Sequence, residues 1–272
     1  MATAFDPGYV DAAFQTLVED APGTEIYPAR DFRVEWGPVF HRGRLDGSAR
    51  VLVIGQDPAQ HETVLRRILV GTAGKRVQGF LGRLGLDRSY VCINALLYSV
   101  YGQGGGNRHV DDEPIAEYRH RWIAAILDAG RIEAVVCFGM LARTAWMAWL
   151  ASPQAQQRAA LPVAYLKHPT WPQSSSNSAA ERAAATEQLL DDWNAGLALV
   201  GSALTQRDID TELVLYGNAF LESDVPDIPS RDLPAGTPAW MGTEDGWASR
   251  HGETPAEKRR TIVMRAPAHL IP

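Results

Sequence analysis

Cysteine is nearly absent from this chain of 272 residues, with only Cys92 and Cys137 present. Two thiols cannot hold an iron–sulfur cluster on cysteine alone. Both lie inside apolar runs, Val91-Cys92-Ile93 and Val136-Cys137-Phe138, and read as small buried hydrophobes, the usage of a reducing cytoplasm. Long apolar runs are missing too: no window approaches the roughly 18 residues of a membrane span. The opening residues Met1-Ala2-Thr3-Ala4-Phe5-Asp6 lack the basic head and apolar core of a secretory signal, so a cytoplasmic location is expected. Positive charge is not in excess. Lys and Arg total 26 against 32 Asp and Glu, a net −6 with a pI near 5.7. That balance argues against a protein that coats nucleic acid, but it permits an enzyme with a local basic patch. Arg66, Arg67, Lys75, Arg76, Arg83 and Arg88 crowd one short segment, where a solvated face is the plain alternative. The chain has no internal repeat, no nucleophile elbow and no paired metal ligands. The glycine-rich run Gly102-Gln103-Gly104-Gly105-Gly106-Asn107 lacks the strand-to-helix setting of a phosphate cradle and reads as a flexible loop.

Hydrophobic residues make up 46% of the chain, enough for a large core. Val51-Leu52-Val53-Ile54 reads as a buried strand, ending abruptly in Gly55-Gln56-Asp57-Pro58. Tyr90–Asn94, Ala134–Phe138 and Val163–Lys167 read as further strands. Helical patterns cover residues 9–20, the stretch after a Gly71–Gly74 turn up to Leu84, residues 114–129, Met140–Leu150 and about Ala179–Leu199. Every strand connection is long enough for a parallel crossover. The expected fold is therefore α/β: one three-layer α/β/α domain over residues 1–202 with a mainly parallel, four-stranded central sheet. Beyond Ser202 the pattern changes. Thr211–Phe220 could be one strand and Thr261–Met264 another, but four prolines, Pro226, Pro229, Pro234 and Pro238, interrupt regular structure. Residues 203–272 read as an irregular extension packed on the main domain, with a mobile linker as the alternative.

Open α/β sheets bind ligands at the carboxyl ends of their strands. Three such ends carry different chemistry here: a carboxylate at Asp57, an amide at Asn94 and an imidazole at His168. A carboxylate orients water or stabilises a developing cation; an amide reads a donor–acceptor edge; an imidazole donates to a leaving oxygen. Each also has an ordinary use: turn former, cap, or satisfied structural histidine. Their joint placement at matching strand ends points to a site.

These residues carry a resemblance. Gly55-Gln56-Asp57-Pro58 resembles the water-activating motif of uracil-DNA glycosylases, and His168-Pro169-Thr170 their second motif. Ile93-Asn94-Ala95-Leu96-Leu97 resembles their uracil-reading segment. Val70–Gly74, the helix after it and Leu84-Gly85-Leu86-Asp87-Arg88 resemble the iron–sulfur branch of that superfamily. The motifs stand in the family order across about residues 25–200. The resemblance implies an enzyme that flips deoxyuridine out of DNA and hydrolyses its glycosidic bond without metal or cofactor, leaving an abasic site. Asp57 and His168 would be catalytic, Asp57 facing the cationic sugar and the attacking water, His168 donating to uracil O2. Asn94 would bond the uracil edge, and the backbone amides of Gln56 and Asp57 would hold O2. Leu69 would be the apolar platform under the base, and Ala59 would stand where the thymine gate belongs. Lys75, Arg76, Thr170, Trp171 and Ser174 would meet DNA, with Trp171 as a wedge or, alternatively, a core anchor. The implied partners are uracil-containing DNA and its abasic product, met by a monomer in the cytoplasm at the nucleoid.

Three departures from the family pattern stand out. Ala59 replaces a bulky Tyr that excludes thymine. Leu69 replaces the stacking Phe. The cluster cysteines are missing, so the chain resembles an outlying branch without the cluster. His61 and Glu62 sit where the family pattern predicts no role; they could act in the site or form a solvated helix start. Three other readings stay open: a glycosylase relaxed toward other deaminated or mismatched bases, a non-catalytic binder of abasic DNA, and an α/β hydrolase unrelated to DNA.

Overall fold

The computed structural model describes residues 4–101 and 104–270. Gly102 and Gln103 of the glycine-rich run lie outside the described residues, as do residues 1–3 at the start. Seven strands are described: β1 His41–Gly43, β2 Val51–Gly55, β3 Tyr90–Asn94, β4 Ala134–Phe138, β5 Val163–Leu166, β6 Ala248–Arg250 and β7 Ile262–Met264. The helices are α1 Ala12–Glu19, α2 Gln60–Leu65, α3 Thr72–Arg83, α4 Gly105–His109, α5 Glu113–Ala129 and α6 Met140–Leu150. After them come α7 Pro153–Gln156, α8 Trp171–Ser174, α9 Ala179–Ala203, α10 Trp240–Thr243 and α11 Pro255–Arg260.

The central sheet runs β1-β3-β2-β4-β5, and β2 to β5 are mutually parallel. Period-two alternation explains why whole strands are apolar. Leu52, Ile54, Val91, Ile93, Val135 and Cys137 face α1, α5 and α6. Val51, Val53, Cys92, Val136 and Phe138 face α3 and α9. The two cysteines therefore lie on opposite faces of the sheet. Trp193 of α9 anchors the second layer, edge-on to Phe80 and Phe138. The α/β/α sandwich is as expected, but the sheet has five strands, not four. The extra one, β1, pairs antiparallel with β3. Its three residues, His41-Arg42-Gly43, have no apolar alternation to reveal them.

Two other expectations are corrected. Gly71–Gly74 is not a free turn: Gly71 is the N-cap of α3. Residue 74 lies inside that helix and is glycine because a Cβ there would stand 1.6 Å from the Leu69 carbonyl oxygen. Thr211–Phe220 forms no strand. No sheet edge meets it, and side chains satisfy its backbone: Asn194 both donates to the Tyr216 carbonyl and accepts from the Tyr216 N–H (3.1 and 2.7 Å), while Arg83 donates to the carbonyls of Val214 and Leu215.

Residues beyond α9 follow the domain surface. Asp232 is fully buried against the sheet edge, ion-paired to the equally buried Arg42 (3.1 Å) and to Arg44, and accepts a 2.6 Å hydrogen bond from Tyr90 Oη. Asp224 pairs with Arg83. Ile228, Leu233, Trp247 and Ala248 form a small core with Leu65 and Val70. Strands β6 and β7 form a separate antiparallel hairpin. Among the described residues, no helix is long and apolar enough to cross a membrane.

Arg42 is fully buried, so Asp232→Ala takes away the carboxylate that neutralises it and leaves a buried, uncompensated cation. The expected cost is about 3–5 kcal/mol, read from urea denaturation against wild type; a loss below about 1 kcal/mol would show that the extension is not anchored there.

Candidate active site

Strand β2 ends in a glycine because the neighbouring strand end needs the space. A Cβ on Gly55 would lie 2.3 Å from Asn94 Oδ1 and 3.7 Å from Leu69 Cδ1. The glycine thus lets an amide and an apolar side chain meet across the end of β2. The β2–β3 pairing continues past the strands, with Ala95 N–H donating to the Gly55 carbonyl and Leu96 N–H to that of Gln56 (3.0 and 2.9 Å). Asn94 is buried, and its Nδ2 has no partner among the described residues, leaving a donor for a ligand acceptor.

On the other flank, Gly139 follows β4 with φ 93°. A Cβ there would come within 2.8 Å of the Gln56 side chain and 3.2 Å of His168 Cβ. Gln56 Oε1 accepts from Leu141 N–H in the first turn of α6 (3.3 Å), so its amide is tied to the scaffold. In sheet order the carboxyl edge therefore reads Asn94, Gln56-Asp57, Gly139, His168. The structure brings together the carboxylate, amide and imidazole expected from the sequence.

Burial acts on the two titratable groups in opposite senses. Asp57 is pushed up to about 6, chiefly by desolvation; the Val100 N–H (3.1 Å to Oδ2) and the charges of Arg33 and Arg250 oppose the shift. His168 is held down at about 4 by burial and by the Arg76 cation. At neutral pH the pair is thus a carboxylate and an uncharged imidazole. Thr170 N–H lies 3.3 Å from His168 Nδ1, and a backbone N–H can only donate. Nδ1 is therefore the acceptor and the ring proton sits on Nε2, the nitrogen left to donate.

Glu62 is not part of a solvated helix start. It is 7% exposed, and its carboxylate reaches back to accept from Ala59 N–H and, at 2.5 Å, from Leu69 N–H. Burial and the nearby Asp57 raise it to about 7 against those two donors. Leu69 has φ 54°, an unfavourable region for a branched side chain, and Glu62 holds it there beside Asn94. His61 Nε2 accepts from Ala248 N–H (3.3 Å), and its ring meets the Trp247 edge. Ala59 is exposed at the rim.

The residues read as DNA contacts divide. Thr170 directly precedes α8, which carries Trp171 and Ser174, so the three stay together. Trp171 packs partly on the core and also lines a hollow of about 520 Å³ with His168, Gln56, Arg143, Lys167 and Met140. The Lys167 ammonium stands 5.5 Å from its ring centroid. Arg76 is spent on the His168 loop, donating to the Pro169 carbonyl and Gln173 Oε1. Lys75 is corrected: it is 7% exposed, donates to the Thr243 carbonyl and faces Asp227 and Asp245. The extension covers it. A further hollow of about 390 Å³ flanks β1 at Asp6, Tyr9 and His41 and holds none of the residues read as catalytic. Among the described residues, no three His, Cys, Asp or Glu side chains gather as a metal site. Burial raises the thiol of Cys92 to about 11 and that of Cys137 still further, so neither favours the thiolate form.

Sequence reasoning missed Arg33, Val100, Arg143 and Lys167. Lys167 adjoins the His168 motif and Arg143 lies in the first turn after Gly139, so proximity could have flagged both. Arg33 and Val100 meet Asp57 only through the fold.

Glu62→Gln replaces one accepting oxygen with a donor facing an N–H, so a loss of about 1–3 kcal/mol is expected in denaturant unfolding. Unchanged stability would remove Glu62 as the support of Leu69.

Among known proteins, the family model for the uracil DNA glycosylase superfamily matches residues 42–194. No curated protein matches the chain.

Proposed function

This chain belongs to the uracil DNA glycosylase superfamily, and we propose that it is a monofunctional glycosylase that flips uracil out of DNA and hydrolyses its N-glycosidic bond, opening base excision repair. The coarse activity, a DNA glycosylase, follows from membership. The choice of uracil is supported by one observation: the unpartnered Asn94 amide beside Leu69, in line with Asp57 and His168 on one sheet edge.

The chemistry follows from the charges. As the glycosidic bond breaks, the sugar gains oxocarbenium character and the base departs as an anion. Ionised Asp57 stabilises the cation and orients the attacking water. Neutral His168 donates from Nε2 to uracil O2, and the backbone amides of Gln56 and Asp57 share that oxygen. Such donors, fixed before reaction, are each worth about 3–4 kcal/mol. Asn94 Nδ2 bonds uracil O4 while its Oδ1 accepts from N3–H, and Leu69 supports the ring. Thr170, Trp171 and Ser174 meet the strand on the α8 side, with Trp171 as the wedge. The enzyme acts as a monomer on nucleoid DNA in the cytoplasm and leaves an abasic site as its product.

Ala59 favours one second reading. With no bulky side chain at this rim position, other deaminated or mismatched bases are the competing substrates. A panel of oligonucleotides carrying uracil, hypoxanthine, xanthine or G·T decides between them, by strand scission in alkali. Uracil is expected to be released fastest, without metal. Intact uracil oligonucleotide at stoichiometric enzyme would overturn the proposal.

Asp57→Asn and His168→Ala are each expected to slow single-turnover cleavage about 10²–10³-fold with little change in DNA affinity. An unaltered rate in either variant would remove that residue from the chemistry.

The pH profile has a fixed sign. Asp57 must be ionised and titrates near 6, whereas His168 stays neutral down to about 4. Log kcat/KM should rise with unit slope up to about pH 6 and then level. A profile flat from about pH 5 to 8 would contradict the assignment.

A further inference from the structure

The extension changes sign along its length. Residues 203–247 carry nine Asp and Glu against two Lys and Arg; residues 248–270 carry five Lys and Arg against two Asp and Glu. The acidic part is largely consumed by the domain: Asp224 pairs with Arg83, Asp232 with Arg42 and Arg44, and Asp227 and Asp245 face Lys75. The basic part is β6, α11 and β7, and it lies beside the catalytic edge. Ala248 N–H donates to His61 of α2, the helix that follows Asp57-Pro58 directly. Two-residue alternation puts Arg250 on the same face of β6 as the buried Ala248, the face turned to the domain. Its partner across the hairpin, Ile262, packs on the same small core.

A continuous set of contacts links the hairpin to Asp57. Arg259 of α11 donates to the Phe32 carbonyl (3.1 Å), reaches Glu35 (3.3 Å) and lies over the Tyr101 ring (4.7 Å). Arg33 lies over that same ring (5.2 Å) and donates to the Val100 carbonyl, while Val100 N–H binds Asp57. Arg33 is 5% exposed, yet its Nε has no partner among the described residues. Arg33 and Arg250 both act on the charge of Asp57. Arg250, Lys258 and Arg265 are exposed and, unlike Arg259 and Arg260, lie in no ion pair among the described residues.

We propose that the hairpin unit 248–265 is a second DNA-backbone clamp, with Arg250 on a phosphate beside the flipped nucleotide, across the mouth from Thr170, Trp171 and Ser174. The inference rests on the DNA glycosylase reading but not on which base is cleaved. It gives the extension a role: its acidic half docks on the domain, and its basic half meets the substrate. Lys75, read from the sequence as a phosphate contact, is taken by the docking half, and the hairpin supplies cations in its stead.

The test is fluorescence anisotropy on a duplex carrying a tetrahydrofuran abasic analogue, with the full-length chain over a range of salt. Arg250→Gln should weaken binding roughly tenfold at about 0.1 M salt and make the slope of log K against log salt shallower by about 1. Adding Lys258→Gln and Arg265→Gln should flatten it further. The variant R131Q, at the amino end of β4, removes one exposed charge from the opposite end of the sheet and should leave affinity and slope as in wild type. Equal affinity and slope for R250Q and wild type, or equal losses in R250Q and the R131Q control, would overturn the clamp. The two proposals fail separately. A wild type that releases no uracil but loses salt slope in R250Q sinks the uracil activity alone; uracil release with an unchanged slope sinks the clamp alone.

Discussion

A parallel sheet covered on both faces has little room for polar side chains within its strands. Either face of β2, β3 or β4 meets a helix layer, so a polar group there forfeits water and needs a buried partner, as the Tyr90 hydroxyl has in Asp232. Polar chemistry is therefore displaced to the strand ends, and the parallel arrangement collects those ends on one edge. Asp57, Asn94 and His168 need no shared stretch of sequence to meet; four parallel strands in the order β3-β2-β4-β5 suffice. Glycines at 55 and 139 then set the spacing, because a Cβ at either would occupy the volume of a neighbouring functional side chain.

That same enclosure tunes the groups it gathers. One burial raises a carboxylate and lowers an imidazole, so the site arrives at its working charge state without a dedicated partner for either. Arg33, Arg76 and Arg250 adjust the outcome. Arg33 and Arg250 restrain the rise of Asp57, and Arg76 reinforces the neutrality of His168 while holding its loop. The cations nearest Asp57 and His168 thus act on the charge of those two groups.

The layered fold was legible in the sequence because Val51–Ile54, Val91–Ile93 and Ala134–Phe138 are continuous apolar runs, a pattern tied to double-sided burial. The strand-end residues were legible for the same reason, since polarity that interrupts such a run abruptly marks where the strand leaves the core. What stayed hidden depends on partners distant in the chain. β1 is three polar-leaning residues whose burial comes from β3 and Asp232. Glu62 looks like an exposed helix-start acid until Leu69 folds back over it. Lys75 looks like a free cation until residues 227–245 arrive. Thr211–Phe220 has strand-like composition, but it meets side chains of α3 and α9 instead of a strand edge.

The pair formed by Arg42 and Asp232 spans 190 residues of chain. Every strand of the central sheet lies before residue 167, so a nascent chain has all five strands while the counter-charge of Arg42 is still unsynthesised. During that interval Arg42 lacks the carboxylate that it pairs with in the folded chain. Such long-range closure is late by its nature, because the loop it closes is large. A chain ending between His168 and Asp232 would carry Asp57, Asn94 and His168 but lack the carboxylate that neutralises Arg42 beside the edge strand.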